Sequence, residues 1–119
     1  MRIKWSDFQP LTHNNTDLVP TQPGVYLLWC KLAKADWRLF YVGEASSLRV
    51  TLRRHLTARE PDRQLRRKMA NCVTGFEYSV HPDPDVRAGV LRFLIDYCKP
   101  ELHVALSNPD AEPIEVNLP

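Results

Sequence analysis

Gly24-Val25-Tyr26-Leu27-Leu28-Trp29-Cys30 and Arg38-Leu39-Phe40-Tyr41-Val42-Gly43 decide the fold of this chain. Each is an apolar run that carries a tyrosine and is bounded by a glycine, at its start in the first and at its end in the second. Aromatic and branched residues suit a pleated, half-buried surface. The pair therefore predicts two neighbouring strands, Val25 to Cys30 and Arg38 to Val42, that set the phenols of Tyr26 and Tyr41 on a shared surface. Pro20 and Pro23-Gly24 punctuate the chain before the first strand, and Lys34-Ala35-Asp36 supplies the connection between the two. An Arg-rich segment with a histidine follows Gly43. Two phenols, an imidazole and guanidiniums are groups that handle a phosphodiester.

Beyond Gly43 the periodicity changes. Ser46 or Ser47 is placed to cap a helix running to about Leu56, with Leu48, Leu52 and Leu56 as its buried stripe. Pro61 suits the first turn of a second helix, in which Leu65, Met69 and Cys72 have helical spacing and which Gly75 ends. Phe76, Tyr78 and Val80 alternate with Glu77 and Ser79, the period of a half-buried strand. Asp83-Pro84 reads as an N-cap and first-turn proline for a last helix to about Cys98, which Pro100 stops. The order strand, strand, helix, helix, strand, helix predicts a small α+β domain on an antiparallel sheet. Residues 1–19 form a lead-in whose Trp5, Phe8 and Leu11 pack on the core. Residues 20–106 form the domain, and 107–119 an irregular, acidic, proline-containing tail.

Bulk properties narrow the function. A chain of 119 residues is one domain, and 44% hydrophobic with 25% charged residues excludes global disorder. No apolar run approaches the ~18 residues of a membrane span, and Met1 to Asp7 has no apolar stretch of signal-peptide length. A cytoplasmic location without a membrane partner is expected. Cys30, Cys72 and Cys98 are odd in number and lack a Cys-x-x-Cys pair, so they read as small core residues rather than a disulfide framework or zinc site. Charge is the informative quantity. Arg49, Arg53, Arg54, Arg59, Arg63, Arg66, Arg67 and Lys68 stand against Glu60 and Asp62, a net of +6 in a chain of +2, so the rest carries −4. A basic island in an otherwise acidic chain suits an anionic polymer; the ordinary alternative is a pair of amphipathic helices with solvated arginines.

The two glycine–tyrosine strings resemble the signature of the GIY-YIG nuclease family, a Gly-aliphatic-Tyr strand and then a Tyr-aliphatic-Gly strand. The resemblance covers roughly Pro20 to His103. It implies a compact three-stranded antiparallel sheet flanked by helices. It also implies that Tyr26 helps to activate or position an attacking water, that Tyr41 is the second phenol, and that His55 fills the family's histidine position. A phenol acts as a base only when a nearby cation or metal lowers its pKa from about 10.

The match fails at two positions. The family's arginine position falls on Thr51. At about 100° per residue, Arg54 lies about 60° from Thr51 on the helix, whereas Arg53 points about 200° away. Arg54 is thus the expected substitute, and Arg53 is expected to face solvent or a distant phosphate. The register of Leu94-Ile95 and Lys99-Pro100 sets Leu91 where the family's metal-binding glutamate belongs, and His103 where asparagine is usual. Leucine cannot bind Mg²⁺, which needs oxygen ligands. Leu91 shares a helical face with Leu94, Ile95 and Cys98, the pattern of a core residue. Glu44, next to Gly43, is the one carboxylate to weigh as a relocated ligand.

Three functions follow. The first is a catalytically impaired nuclease-like domain that binds nucleic acid, DNA in preference to RNA, through Arg49, Arg53, Arg54, Arg63, Arg66, Arg67 and Lys68, with no cofactor. The second is an active endonuclease using Mg²⁺ or Mn²⁺, with Tyr26, Tyr41, His55 and Arg54 as its catalytic set. The third is a module for an acidic protein partner, which would draw on the same arginines.

Overall fold

The computed structural model describes residues 1–32, 34, 36–57 and 59–119. The connection expected at Lys34-Ala35-Asp36 falls partly outside the described residues. In chain order the elements are β1 (Gln9–Pro10), α1 (His13–Thr16), β2 (Gly24–Lys31), β3 (Arg38–Ala45), α2 (Leu48–His55), α3 (Arg63–Ala70), β4 (Val73–Val80), α4 (Pro84–Cys98) and β5 (Leu102–His103). The class is α+β. The strands form one sheet in the order β1-β4-β2-β3-β5, antiparallel except for the β3–β5 pair.

The three long strands are the expected antiparallel core, and the correction lies at the edges. Two-residue strands extend each side and make the sheet five-stranded and mixed. Segments this short carry no readable period, and β5 pairs parallel because Pro100 turns the chain back beside β3. Single residues of side-chain alternation divide the core in two. Tyr26, Leu28 and Cys30 face α2 and α3 with Leu48, Leu52 and Leu65. Val25, Leu27 and Val42 face α4 with Val90, Leu91 and Leu94. The sheet is therefore a wall between two helical layers.

Local signals explain most of the boundaries. Asp83 accepts a hydrogen bond from the Asp85 N–H and Pro84 starts α4, as the sequence predicts. The α3 start differs: Asp62 is the N-cap, accepting from Gln64 and Leu65, so Pro61 precedes the helix rather than entering it. Ser47 stands at the α2 N-cap, but its hydroxyl makes no capping bond. Gly75 lies inside β4 rather than at a helix end, because the Phe8 ring occupies the space of its missing Cβ.

Two further expectations are revised. Cys30 and Cys72 form a disulfide with Cα atoms 5.7 Å apart. They are separated by 42 residues in sequence, but β2–β4 pairing places Cys30 opposite Thr74 and so beside Cys72. The tail has no helix or strand, yet it docks on α4. Ile114 donates to the Gly89 carbonyl, Val116 is buried, and Asn117 bonds the Ile3 backbone while its carbonyl accepts from Trp5. A Cβ at Gly89 would stand 2.6 Å from Ile114, so that glycine makes room for the strap.

Candidate functional site

The register of β2 and β3 builds the phenol pair. Tyr26 sits opposite Gly43, and Leu28 opposite Tyr41. Both rings therefore rise from the same face, with centroids 6.0 Å apart and planes 29° apart. The glycines are needed for space, since no glycine has positive φ. A Cβ on Gly43 would stand 2.4 Å from Tyr26 Cζ, so the phenol lies directly across that residue. A Cβ on Gly24 would meet the Ser79 carbonyl oxygen at 2.3 Å, so strand β4 approaches only because Gly24 lacks one.

Helix α2 lays Leu48 and Leu52 on the sheet and carries His55 one turn beyond Leu52. The Tyr26 hydroxyl lies 2.7 Å from His55 Nε2, and His55 Nδ1 lies 2.6 Å from Glu60 Oε2. A carboxylate only accepts, so Glu60 fixes the proton on Nδ1 and leaves Nε2 to accept from the phenol. The result is a continuous chain from phenol through imidazole to carboxylate. Tyr26 is 1% exposed, Tyr41 4%, His55 4% and Glu60 3%. Arg54 reaches the same carboxylate, Nε to Oε2 at 3.4 Å, from a half-exposed position.

Burial sets the protonation states. It raises the Tyr26 pKa well above the usual phenol value, with the Tyr41 phenol adding to the effect. It also pushes Tyr41 up to about 12. Burial lowers the His55 pKa, and the Glu60 carboxylate offsets only part of that. Near neutral pH the chain is thus a protonated phenol donating to a neutral imidazole. A cleft of about 290 Å³ opens beside His55, with Thr57, Arg66 and Met69 on its walls.

Tyr26, Tyr41, His55 and Arg54 therefore come together. Glu60 completes the cluster and was missed by sequence reasoning, which counted it only as an acid diluting a basic run. The available signal was a lone glutamate just past the end of the histidine-bearing helix. It is weak because the residue lies in a connection where no period applies.

The other candidate residues separate. Arg49 donates to the Val19 carbonyl at 2.7 Å, and Arg53 donates to Thr16 Oγ1 at 2.9 Å and pairs with Asp17. Both tie α2 to α1 and its C-terminal turn, and the Arg53 side chain, expected to face solvent or a distant phosphate, stays about one third exposed beside Asp17. Arg63, Arg66 and Arg67 are exposed on α3, and Lys68 pairs with Glu101 at 3.3 Å. Thr51 is half-buried on α2. His103 is exposed on β5.

Glu44 is not brought to the phenols. It pairs with Val25, on the α4 face of the sheet, where it accepts from Ser107 at 2.9 Å and lies 3.6 Å from Arg87 Nε. Leu91 lies on that face too, 0% exposed. A Mg²⁺ or Mn²⁺ ion at the phenols would need carboxylate oxygens. Glu60 is beside them, but its Oε2 is bonded to His55 and Arg54 and its Oε1 accepts from the Asp62 N–H at 3.3 Å. Among the described residues there is no group of three or more His, Cys, Asp or Glu able to hold a metal ion. The donor set does not fit a divalent cation there. Among the described residues no helix is long and apolar enough to cross a membrane.

Compared with known proteins, the chain matches no family model and no curated sequence.

Proposed function

We propose that this chain is a GIY-YIG-nuclease-like domain that binds nucleic acid, DNA in preference to RNA, and has lost most of its hydrolytic capacity. The observation that carries the reading is the exposed face of α3. Arg63, Arg66 and Arg67 fall within an arc of about 100° on that helix, opposite the buried Leu65. Arg66 and Arg54 border the His55 cleft and the Glu60 carboxylate, so the basic face adjoins the phenol–imidazole chain. Arginines arranged in this way gain affinity by displacing counterions from phosphates, without reading sequence.

Loss of hydrolysis follows from the carboxylates. Phosphoryl transfer depends on neutralising charge at the phosphoryl and leaving oxygens. The position that the resemblance assigns to a metal ligand is a leucine in the α4 core, and the carboxylate beside the phenols is engaged by His55 and Arg54. One observation favours a second reading, a working phosphodiesterase: the Tyr26–His55–Glu60 chain sets a phenol, an imidazole and a carboxylate, the group types of acid–base catalysis, in hydrogen-bond reach of one another.

The test is fluorescence anisotropy with a labelled DNA duplex at several salt concentrations. Native protein should bind with steeply salt-dependent affinity. Removing two phosphate contacts with Arg63→Ala/Arg67→Ala should flatten the slope of log K against log salt by about 1.8. Binding that is absent or indifferent to salt removes the nucleic-acid reading.

A further inference from the structure

The Cys30–Cys72 disulfide takes no part in the phenol cluster, and its two sulfurs stand in different surroundings. Cys30 is 5% exposed in the apolar layer beneath α2 and α3, although it borders a cavity beside Arg38 and Lys99. Cys72 is half-buried just beyond the end of α3, on the wall of a cavity of about 590 Å³. Arg67 and Lys68 stand on that wall with the side-chain amides of Gln64 and Asn71. Among the described residues Glu101 is its only acid. Lys68 pairs with Glu101 at 3.3 Å, which leaves the Arg67 charge in excess.

These surroundings suit Cys72 to thiol chemistry. Thiolates attack and leave in disulfide exchange, and cations beside a partly exposed sulfur favour the thiolate form. An acceptor for a released thiol is already in place. The Lys68 carbonyl oxygen lies 3.2 Å from Cys72 Sγ, and Thr74 Oγ1 lies 4.0 Å away. The open form therefore satisfies its thiol without rebuilding the last turn of α3. The cavity volume falls in the range of ~300–1,000 Å³ that admits small molecules, and an unbalanced guanidinium on its wall selects an anion among them.

We propose that Cys72 is a thiol–disulfide exchange site for a small thiol bearing a carboxylate. The consequence drawn for it rests on the nucleic-acid reading above. The incoming thiol loses its proton to solvent, and its thiolate attacks Cys72 Sγ. As the new S–S bond forms, the bond to Cys30 breaks and its electron pair leaves on Cys30 Sγ, which takes up a proton. One thiol thus adds across the disulfide, giving a mixed disulfide at Cys72 and a thiol at Cys30. A second thiol removes the adduct as a small-molecule disulfide and leaves both cysteines reduced. While the adduct is present, its carboxylate pairs with Arg67. Arg67 is one of the three arginines on the α3 face, so the adduct takes away one phosphate contact.

The experiment first opens native protein with mercaptopropionate or with mercaptoethanol at equal thiolate concentration. Samples are alkylated at intervals and mapped by mass spectrometry. Opposite unit charges about 4 Å apart in water favour a contact about fivefold at low salt. Mercaptopropionate should react faster by about that factor, Arg67→Ala should remove the preference, and the adduct should map to Cys72. Equal rates in native protein, a preference that survives Arg67→Ala, or an adduct on Cys30 overturns the exchange site. The consequence is read in Cys30→Ala/Cys98→Ala, in which Cys72 is the sole cysteine, loaded with either thiol from its symmetric disulfide. Losing one phosphate contact flattens the slope of log K against log salt by about 0.9, which is about eightfold in affinity at about 0.1 M salt. The mercaptopropionate form should bind duplex DNA more weakly than the mercaptoethanol form by about that factor, with equal melting temperatures. Equal affinities overturn the coupling to α3. Native protein that binds no duplex overturns the nucleic-acid reading, and the rate comparison then decides the exchange site by itself.

Discussion

Gly43→Ala tests the architecture of the phenol cluster in one methyl group. The new Cβ would stand 2.4 Å from Tyr26 Cζ and 2.5 Å from its oxygen, so the ring must move. It has nowhere to go: Tyr26 is 1% exposed, and its hydroxyl is held 2.7 Å from His55. Forcing an extra carbon into a packed core costs about 1–3 kcal/mol. Leaving a buried hydroxyl and imidazole unpaired adds about 1–3 kcal/mol, and the stiffer backbone of alanine returns about 0.5–1 kcal/mol. The net expectation is a loss of about 3 kcal/mol. Gly75→Ala is the control. Its Cβ would also strike an aromatic ring, Phe8 Cζ at 2.1 Å, but Phe8 is 38% exposed and can swing into solvent. That move forfeits its edge contact with Trp37, worth about 1 kcal/mol. Urea unfolding of the three proteins measures both losses. Equal losses, or a neutral Gly43→Ala, would refute the argument that a trapped phenol is what requires glycine there.

Acid stability is set partly by His55. Burial holds its folded pKa below the ordinary 6.5, so on acidification the unfolded chain takes up that proton first. Stability from this group is complete above about pH 6.5 and falls below it, by at most about 1.4 kcal/mol per pH unit; urea midpoints that do not fall faster in native protein than in His55→Gln below that pH contradict this. Leu91→Glu, which restores the carboxylate that the resemblance calls for, should cost at least about 4 kcal/mol, because it buries an unpaired charge in the α4 core. Circular dichroism showing a fully folded, equally stable variant would mean that position 91 can reach solvent. Arg53→Ala should lose about 1 kcal/mol from its bonds to Thr16 and Asp17 while DNA affinity stays level, whereas Arg63→Ala should do the reverse. Loss of affinity in Arg53→Ala would return that residue to the binding surface.

What the sequence made legible was what repeats locally. Alternation and glycine boundaries located β2 and β3, helical spacing located α2 and α4, and the same spacing identified Leu91 as core. Helical geometry from Thr51 also brought Arg54 rather than Arg53 toward the cluster. Missed features depend on contacts between distant segments. Glu60 reaches His55 from a connection, where no period marks a buried side chain. Cys72 meets Cys30 only because β4 pairs with β2, and the strap is visible only where Ile114 fills the space above Gly89. Charge counting gave the sign of the α2–α3 surface but not its partners within the chain, so the bonds of Arg49 and Arg53 to Val19, Thr16 and Asp17 were not foreseen. Glu44 was judged near Tyr41 by sequence, but three residues along a strand reverse the face.

The most direct measurement is incubation of the native protein with supercoiled plasmid in Mg²⁺ and in Mn²⁺, followed in parallel by gel retardation and by conversion to nicked and linear forms. The account expects plasmid that is retarded at low salt, released at high salt and left supercoiled with either metal. Metal-dependent nicking that disappears in Tyr26→Phe would contradict it. That result would make the Tyr26–His55–Glu60 chain a working catalytic centre.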